Sequence, residues 1–273
     1  MIPLTQMATD VLQTADGAEK TALSRKYAAQ WFASREAGAP IEIGTAKPPL
    51  RPARPQKPAL LDPRDVPRRK PGTHEGRVAM LHAVAHIELN AVDLHWDIIA
   101  RFGGRVDFPI GFYDDWVKSA DEESKHFGLM SDCLANYGAH YGSLDAHAGM
   151  WSAAEDTADD ILGRLAVVPM VLEARGLDVT PGMIKLFKQA KDTAAVEAME
   201  VIYAEEVHHV SYGSKWFHFL CGRQNLDPTP TFHSLVRKYF HSALKPPFNE
   251  EKRAEAGIPP DFYWPLSESA AVR

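Results

Sequence analysis

From Thr73 onward, apolar residues recur every three or four positions over long stretches, the spacing of one face of an α-helix. Leu81, Val84, Ala85, Ala91, Val92, Ile99 and Phe102 make the first such stripe; Thr73 is a capping residue before it and Gly103-Gly104 ends it. Trp116, Ala120, Phe127, Met130 and Leu134 make a second, in a helix expected over roughly 111–137. A third is expected over 147–175, with Leu162, Ala166, Pro169 and Met170 inward, a kink at Pro169 and a stop at Gly176. Thr180-Pro181 reads as a cap followed by proline at the first helical position, so a fourth helix is expected from there to about Cys221, along Ala195, Met199, Ile202, Tyr203, Val210, Gly213 and Phe217. Ahead of these, Val11, Leu12, Leu23, Tyr27, Trp31 and Phe32 suit one or two short helices.

The predicted fold class is therefore all-α. N-terminal helices and an arm occupy 1–72, a four-helix bundle 73–222, and an extension that packs on the bundle 223–273. The arm stands out by composition. Between Lys47 and Pro71, eight prolines and eight Lys or Arg fall in 25 residues, which excludes a helix and favours an extended connection. Its charge could meet nucleic-acid phosphates. With no aromatics interleaved, a solvated strap lying on an acidic helical body is the better reading. After Cys221, Asp227 to Pro230 makes a turn, a short helix fits 233–243, and a Pro-rich tail begins at Lys245, its Phe262, Tyr263 and Trp264 anchoring in surface grooves.

Composition changes this picture little. The chain has 273 residues, 45% hydrophobic and 24% charged, long enough for a sizeable core. A net charge of -6 declares no polyanionic partner. Two cysteines are too few for a disulfide framework, no secretory leader opens the chain, and no apolar run is long enough to span a bilayer. A cytoplasmic protein without a membrane partner is expected.

Chemistry enters through residues in the wrong place. Glu88, Glu123, Glu173 and Glu206 all sit among apolar positions, where an uncompensated carboxylate is costly. Two of them open Glu-x-x-His pairs, Glu123/His126 and Glu206/His209, and residues three apart share a helix face, so each pair can aim at one ion. The order repeats: a lone Glu, then 35 residues on a pair, then a lone Glu, then 33 residues on a pair. One Glu from each of two helices plus Glu-x-x-His from each of two others is the ligand set of ferritin-like di-iron and di-manganese carboxylate bundles. The stretch A-E-E-V-H-H-V offers a second register, Glu205/His208, but Glu206 shares its stripe with Met199, Ile202, Tyr203 and Val210, so Glu206/His209 is chosen. His82 and His86 point away from the Glu88 stripe and are expected at the surface or in inter-helix hydrogen bonds; His95, about 10 Å along the axis from Glu88, is too far to share its ion.

The run L-G-R-L-A-V-V-P-M-V-L-E-A-R-G-L-D-V-T-P-G-M-I-K from Leu162, with A-H-I-E-L-N-A-V-D-L around Glu88, D-E-E-S-K-H-F around Glu123, E-E-V-H-H-V-S-Y-G-S-K-W-F around Glu206 and P-P-F-N near the end, resembles the DUF455 family of ferritin-like proteins. That family usually reads E-I-G-H at the last pair, which aligns with Glu206 and His209 and puts His208 where glycine is usual. More distantly it is similar to tRNA hydroxylases of the MiaE type. The resemblance implies a ferritin-like bundle around two metal ions.

The expected protein is an O2-dependent oxidase or hydroxylase holding two Fe ions, or Mn in one or both positions, on Glu88, Glu123, His126, Glu173, Glu206 and His209. Tyr203, one turn before Glu206, is a possible redox or hydrogen-bonding neighbour of the ions. O2, an electron donor and a small-molecule or RNA substrate would be its partners, in a monomer or dimer. The competing expectations are a ferroxidase or iron-handling protein without organic substrate, and a metal-free structural bundle.

Overall fold

The computed structural model describes residues 2–267 except Pro63, Arg68 and Ala148, so the last residues of the expected extension and two positions of the arm lie outside the described residues. The fold is an all-α helical bundle. Helices α1 (Leu4–Gln13), α2 (Gly17–Glu36), α3 (His74–Phe102), α4 (Ile110–Asn136), α5 (Gly149–Asp156), α6 (Ile161–Val167), α7 (Ala174–Gln189), α8 (Thr193–Gln224), α9 (Pro228–Tyr239), α10 (Glu250–Glu255) and α11 (Pro260–Tyr263) follow in chain order. Two-residue strands β1 (Leu60–Leu61) and β2 (Ala146–His147) pair in parallel. The chain divides into two compact units, one of residues 1–151 and 186–198, the other of 152–185 and 199–273.

The first unit is built on α3 and α4, with α1 packed on α3 and α2 on α4. The expected cap holds: Thr73 Oγ1 accepts from the Gly76 amide at 3.1 Å, and the helix runs to Phe102 as its apolar spacing predicts. Trp96, Trp116 and Phe112 fill the core. The arm does not form a domain. It lies against the N-terminal helices and α3 through backbone and side-chain bonds: the Ala53 amide donates to Leu12 O at 2.7 Å, Lys20 Nζ to Ala53 O at 3.0 Å, and Arg101 to Pro49 O at 3.2 Å. Beneath it Lys20 and Asp93 form an ion pair with both side chains almost wholly buried.

In the second unit the helix boundaries depart from the sequence reading. The expected third helix is broken: α5 ends at Asp156, and α6 starts afresh after Asp160, whose side chain caps the Gly163 amide at 2.9 Å. Pro169 does distort the chain, by a six-residue π-helical segment over Val168–Glu173 rather than by a simple kink. Gly176 stops nothing and Thr180-Pro181 starts nothing; α7 runs through all three to Gln189.

The break falls at 190–192, and Asp192 caps α8 by accepting from the Ala195 amide at 3.0 Å. Pro181 is tolerated because the helical carbonyl it deprives, Leu177 O, accepts instead from Asn249 Nδ2 at 3.1 Å. The tail thus packs on α7 and α8: Arg253 is buried and reaches both carboxylate oxygens of Asp178 at 2.7 and 2.8 Å, and Ser214 Oγ donates to Gly257 O at 2.8 Å. The short helix expected over 233–243 is α9, which begins at the Asp227 turn and ends at Tyr239.

Candidate metal centre

Helices α3 and α4 pack along their length, so a residue at the same depth on each meets its counterpart. Glu88 on α3 and Glu123/His126 on α4 are 4%, 1% and 0% exposed. His126 Nδ1 stands 3.2 Å from Glu88 Oε2 and 3.4 Å from Glu123 Oε2. The ligand-type atoms of these three residues lie within 4.8 Å of one another, and the buried cluster could hold a metal ion. Burial, with Glu123 beside it, pushes the Glu88 carboxyl well above the usual carboxylate range; His126 opposes this only in part. A divalent cation would supply the missing positive charge. The donors are hard carboxylate oxygens with one imidazole nitrogen.

The second unit carries a like arrangement of its own. On α8, His209 Nδ1 is 3.5 Å from Glu206 Oε1, and both residues are buried. Glu205 is half-buried and His208 exposed, so the helix turns the Glu206/His209 register inward, as its apolar stripe predicts. Glu173 is buried at the last position of the π-helical segment. α8 approaches that segment closely: a Cβ on Gly213 would stand 2.4 Å from the Pro169 ring, so only glycine fits. Wide turns of this kind recur at functional sites because the extra residue re-aims the side chains that follow.

The other candidates find ordinary partners. Tyr203 is half-buried and its hydroxyl accepts from Asn249 Nδ2 at 2.7 Å. His82 Nε2 accepts from the Gly142 amide at 2.9 Å, and His86 contacts the Tyr141 hydroxyl at 2.8 Å and His147 O at 3.0 Å. Both histidines are buried rather than at the surface, and their partners belong to the connection after α4 rather than to another helix. His95 is buried with its ring 5.3 Å from Trp116.

Sequence reasoning missed Asn249. Its side chain serves Leu177, Tyr203 and the Lys252 amide at once, and the only signal was an asparagine after two prolines and a phenylalanine.

An all-α bundle with a buried carboxylate–imidazole cluster able to hold a metal ion is the class that fold and site define. The chain belongs to the DUF455 family, described as proteins of unknown function, whose model matches residues 13–264. It is 44% identical over 208 residues to an uncharacterized protein of Haemophilus influenzae, covering 75% of this chain and 72% of that one. No solved structure matches it. Among the described residues no helix is long and apolar enough to cross a membrane.

Proposed function

We propose that the protein is a dinuclear non-haem metal carboxylate protein of ferritin-like type, working as an O2-dependent oxidase or hydroxylase. The observation that carries this is the contact of one imidazole with two buried carboxylates, Glu88 and Glu123, at 3.2 and 3.4 Å. Glu173, Glu206 and His209 are buried as well. In this reading Glu88 with Glu123/His126 hold mainly one ion and Glu173 with Glu206/His209 mainly the other. Bound there, Fe, or Mn in one or both positions, would supply redox chemistry with O2 at positions that six protein ligands leave open.

The chain's own residues do the rest. Burial beside Glu123 raises the Glu88 carboxyl well above the usual carboxylate range, so Glu88 would give up its proton to bind an ion. The Nδ1 edges of His126 and His209 are fixed toward their carboxylates. Cys133 and Cys221 are free and buried, and burial pushes each thiol up to about 11, so both are held as inert thiols.

Elemental analysis of protein from metal-replete cells tests the reading: about two equivalents of Fe plus Mn are expected, falling several-fold in Glu123→Ala. Less than about 0.2 equivalents in the wild type would sink it. O2 uptake in the presence of a reductant then separates oxidase from iron handling. Uptake that continues after the ferrous ions are spent fits an oxidase; uptake that stops with them fits a ferroxidase.

A further inference from the structure

On the face of α3 turned away from Glu88, His86, Leu89 and Asp93 line a partly enclosed cavity of about 40 Å³, closed by Lys20 of α2, by Tyr141 and by Arg54 of the arm. By the measure in which one water needs about 10–15 Å³, the space holds roughly three waters or one small molecule. Its lining carries unequal charge. Lys20 is paired with Asp93, whereas Arg54, always protonated, spends one Nη2 bond of 2.6 Å on the neutral Asn90 and has no carboxylate partner among the described residues. Lys20 also bonds Ala53 O, which leaves one ammonium proton. Both nitrogens of His86 are engaged, by Tyr141 and by His147 O, so the histidine adds no free donor. The walls therefore hold two cations against one carboxylate.

We infer that this cavity is an anion site, distinct from the metal cluster, that takes a small carboxylate-class oxyanion between the Arg54 guanidinium and Lys20. The planar fork of arginine matches two carboxylate oxygens, and the volume favours a small planar anion such as formate or acetate over a tetrahedral phosphate. Arg54 shares the cavity wall with Tyr141 and Asp93 and hydrogen-bonds neither among the described residues. The site depends on the arm. Without Arg54 and Ala53, the α2–α3 surface keeps only the neutralised Lys20–Asp93 pair.

The experiment is titration of full-length, metal-replete protein at low ionic strength with formate, acetate and phosphate, followed by calorimetry and by amide NMR shifts at Lys20, Arg54 and Asn90. Carboxylate binding in the wild type is expected to weaken at least about tenfold in Arg54→Gln, which removes the charge. It should weaken less in Arg54→Lys, which keeps it. Because anions also bind metal ions, the same titration is run on Glu123→Gln. Unchanged carboxylate affinity there supports the site, and loss of affinity places the anion on the metal and overturns it. Binding of equal strength in Arg54→Gln, or saturation by none of the three anions, overturns it too, as does preference for phosphate. Circular dichroism and Tm check that Arg54→Gln folds; if it does not, the Arg54→Lys result decides, and carboxylate binding weakened there by less than about tenfold, with shifts at Asn90, supports a charge-held anion, while absence of those shifts overturns it.

Discussion

Glu88 is a carboxylate that the fold buries against another carboxylate, and this sets a pH dependence with a definite sign. Its folded-state pKa is raised by burial and by Glu123, while in the unfolded chain it is that of an ordinary glutamate, about 4.3. A raised pKa contributes stability that is complete below the unfolded value and is lost as pH rises toward the folded one. Chelator-stripped protein should therefore lose Tm progressively as pH climbs from about 4.3, and Glu88→Gln, which cannot ionise, should flatten that part of the profile. A metal-free Glu88→Gln variant with the same slope as the wild type would show that Glu88 is not the source. This residue was legible in the sequence because its charge sits on an apolar stripe. Lys20 and Arg54 were not, because a cation in a mixed helix or a Pro-rich arm looks the same whether it faces water or Asp93.

At the scale of elements, the long regular helices α3 and α4 agree with the apolar periodicity to within a residue or two, since packing and local signals there point the same way. One misread boundary lies where a distant residue overrules a local signal. Thr180-Pro181 has the form of a helix start, yet α7 passes through it because Asn249, far along the chain, supplies the donor that Pro181 lacks. Nothing near Pro181 in sequence announces that bond. The same asparagine bonds Tyr203, so Asn249→Ala leaves two buried or half-buried acceptors without it and should cost about 1–3 kcal/mol, read as a lower midpoint in urea. A loss under about 0.3 kcal/mol would mean that water replaces the asparagine readily. Asp192 is the opposite case: a sound capping residue whose position has meaning only because α7 runs up to it.

For the whole molecule, bound metal contributes folding free energy, because ions held by carboxylates and imidazoles in the native state have no preformed site in the unfolded chain. Removing it with a strong chelator should lower Tm by several degrees, and re-adding Fe or Mn should restore it. Protein proven free of metal with an unchanged Tm would count against a structural share for the ions. The arm and tail were legible only as Pro-rich segments; that they are tied down is a property of long-range bonds such as Arg54–Asn90 and Arg253–Asp178, which composition does not contain. The division of the chain has a consequence for taking the protein apart. Each compact unit draws on two separate stretches, 1–151 with 186–198 and 152–185 with 199–273, so the two are interleaved along the sequence and no single cut releases either one whole. A fragment ending at residue 151 lacks Asp192, to which the Tyr137 hydroxyl donates at 2.5 Å, and the fully buried Phe187. It should unfold with weak cooperativity or aggregate when expressed alone, and supplying 152–273 in trans should rescue it. In evolutionary terms neither half can be traded between genes as a ready-made cassette, so insertions and fusions in this protein's relatives are expected at the ends of the chain rather than at a seam in its middle.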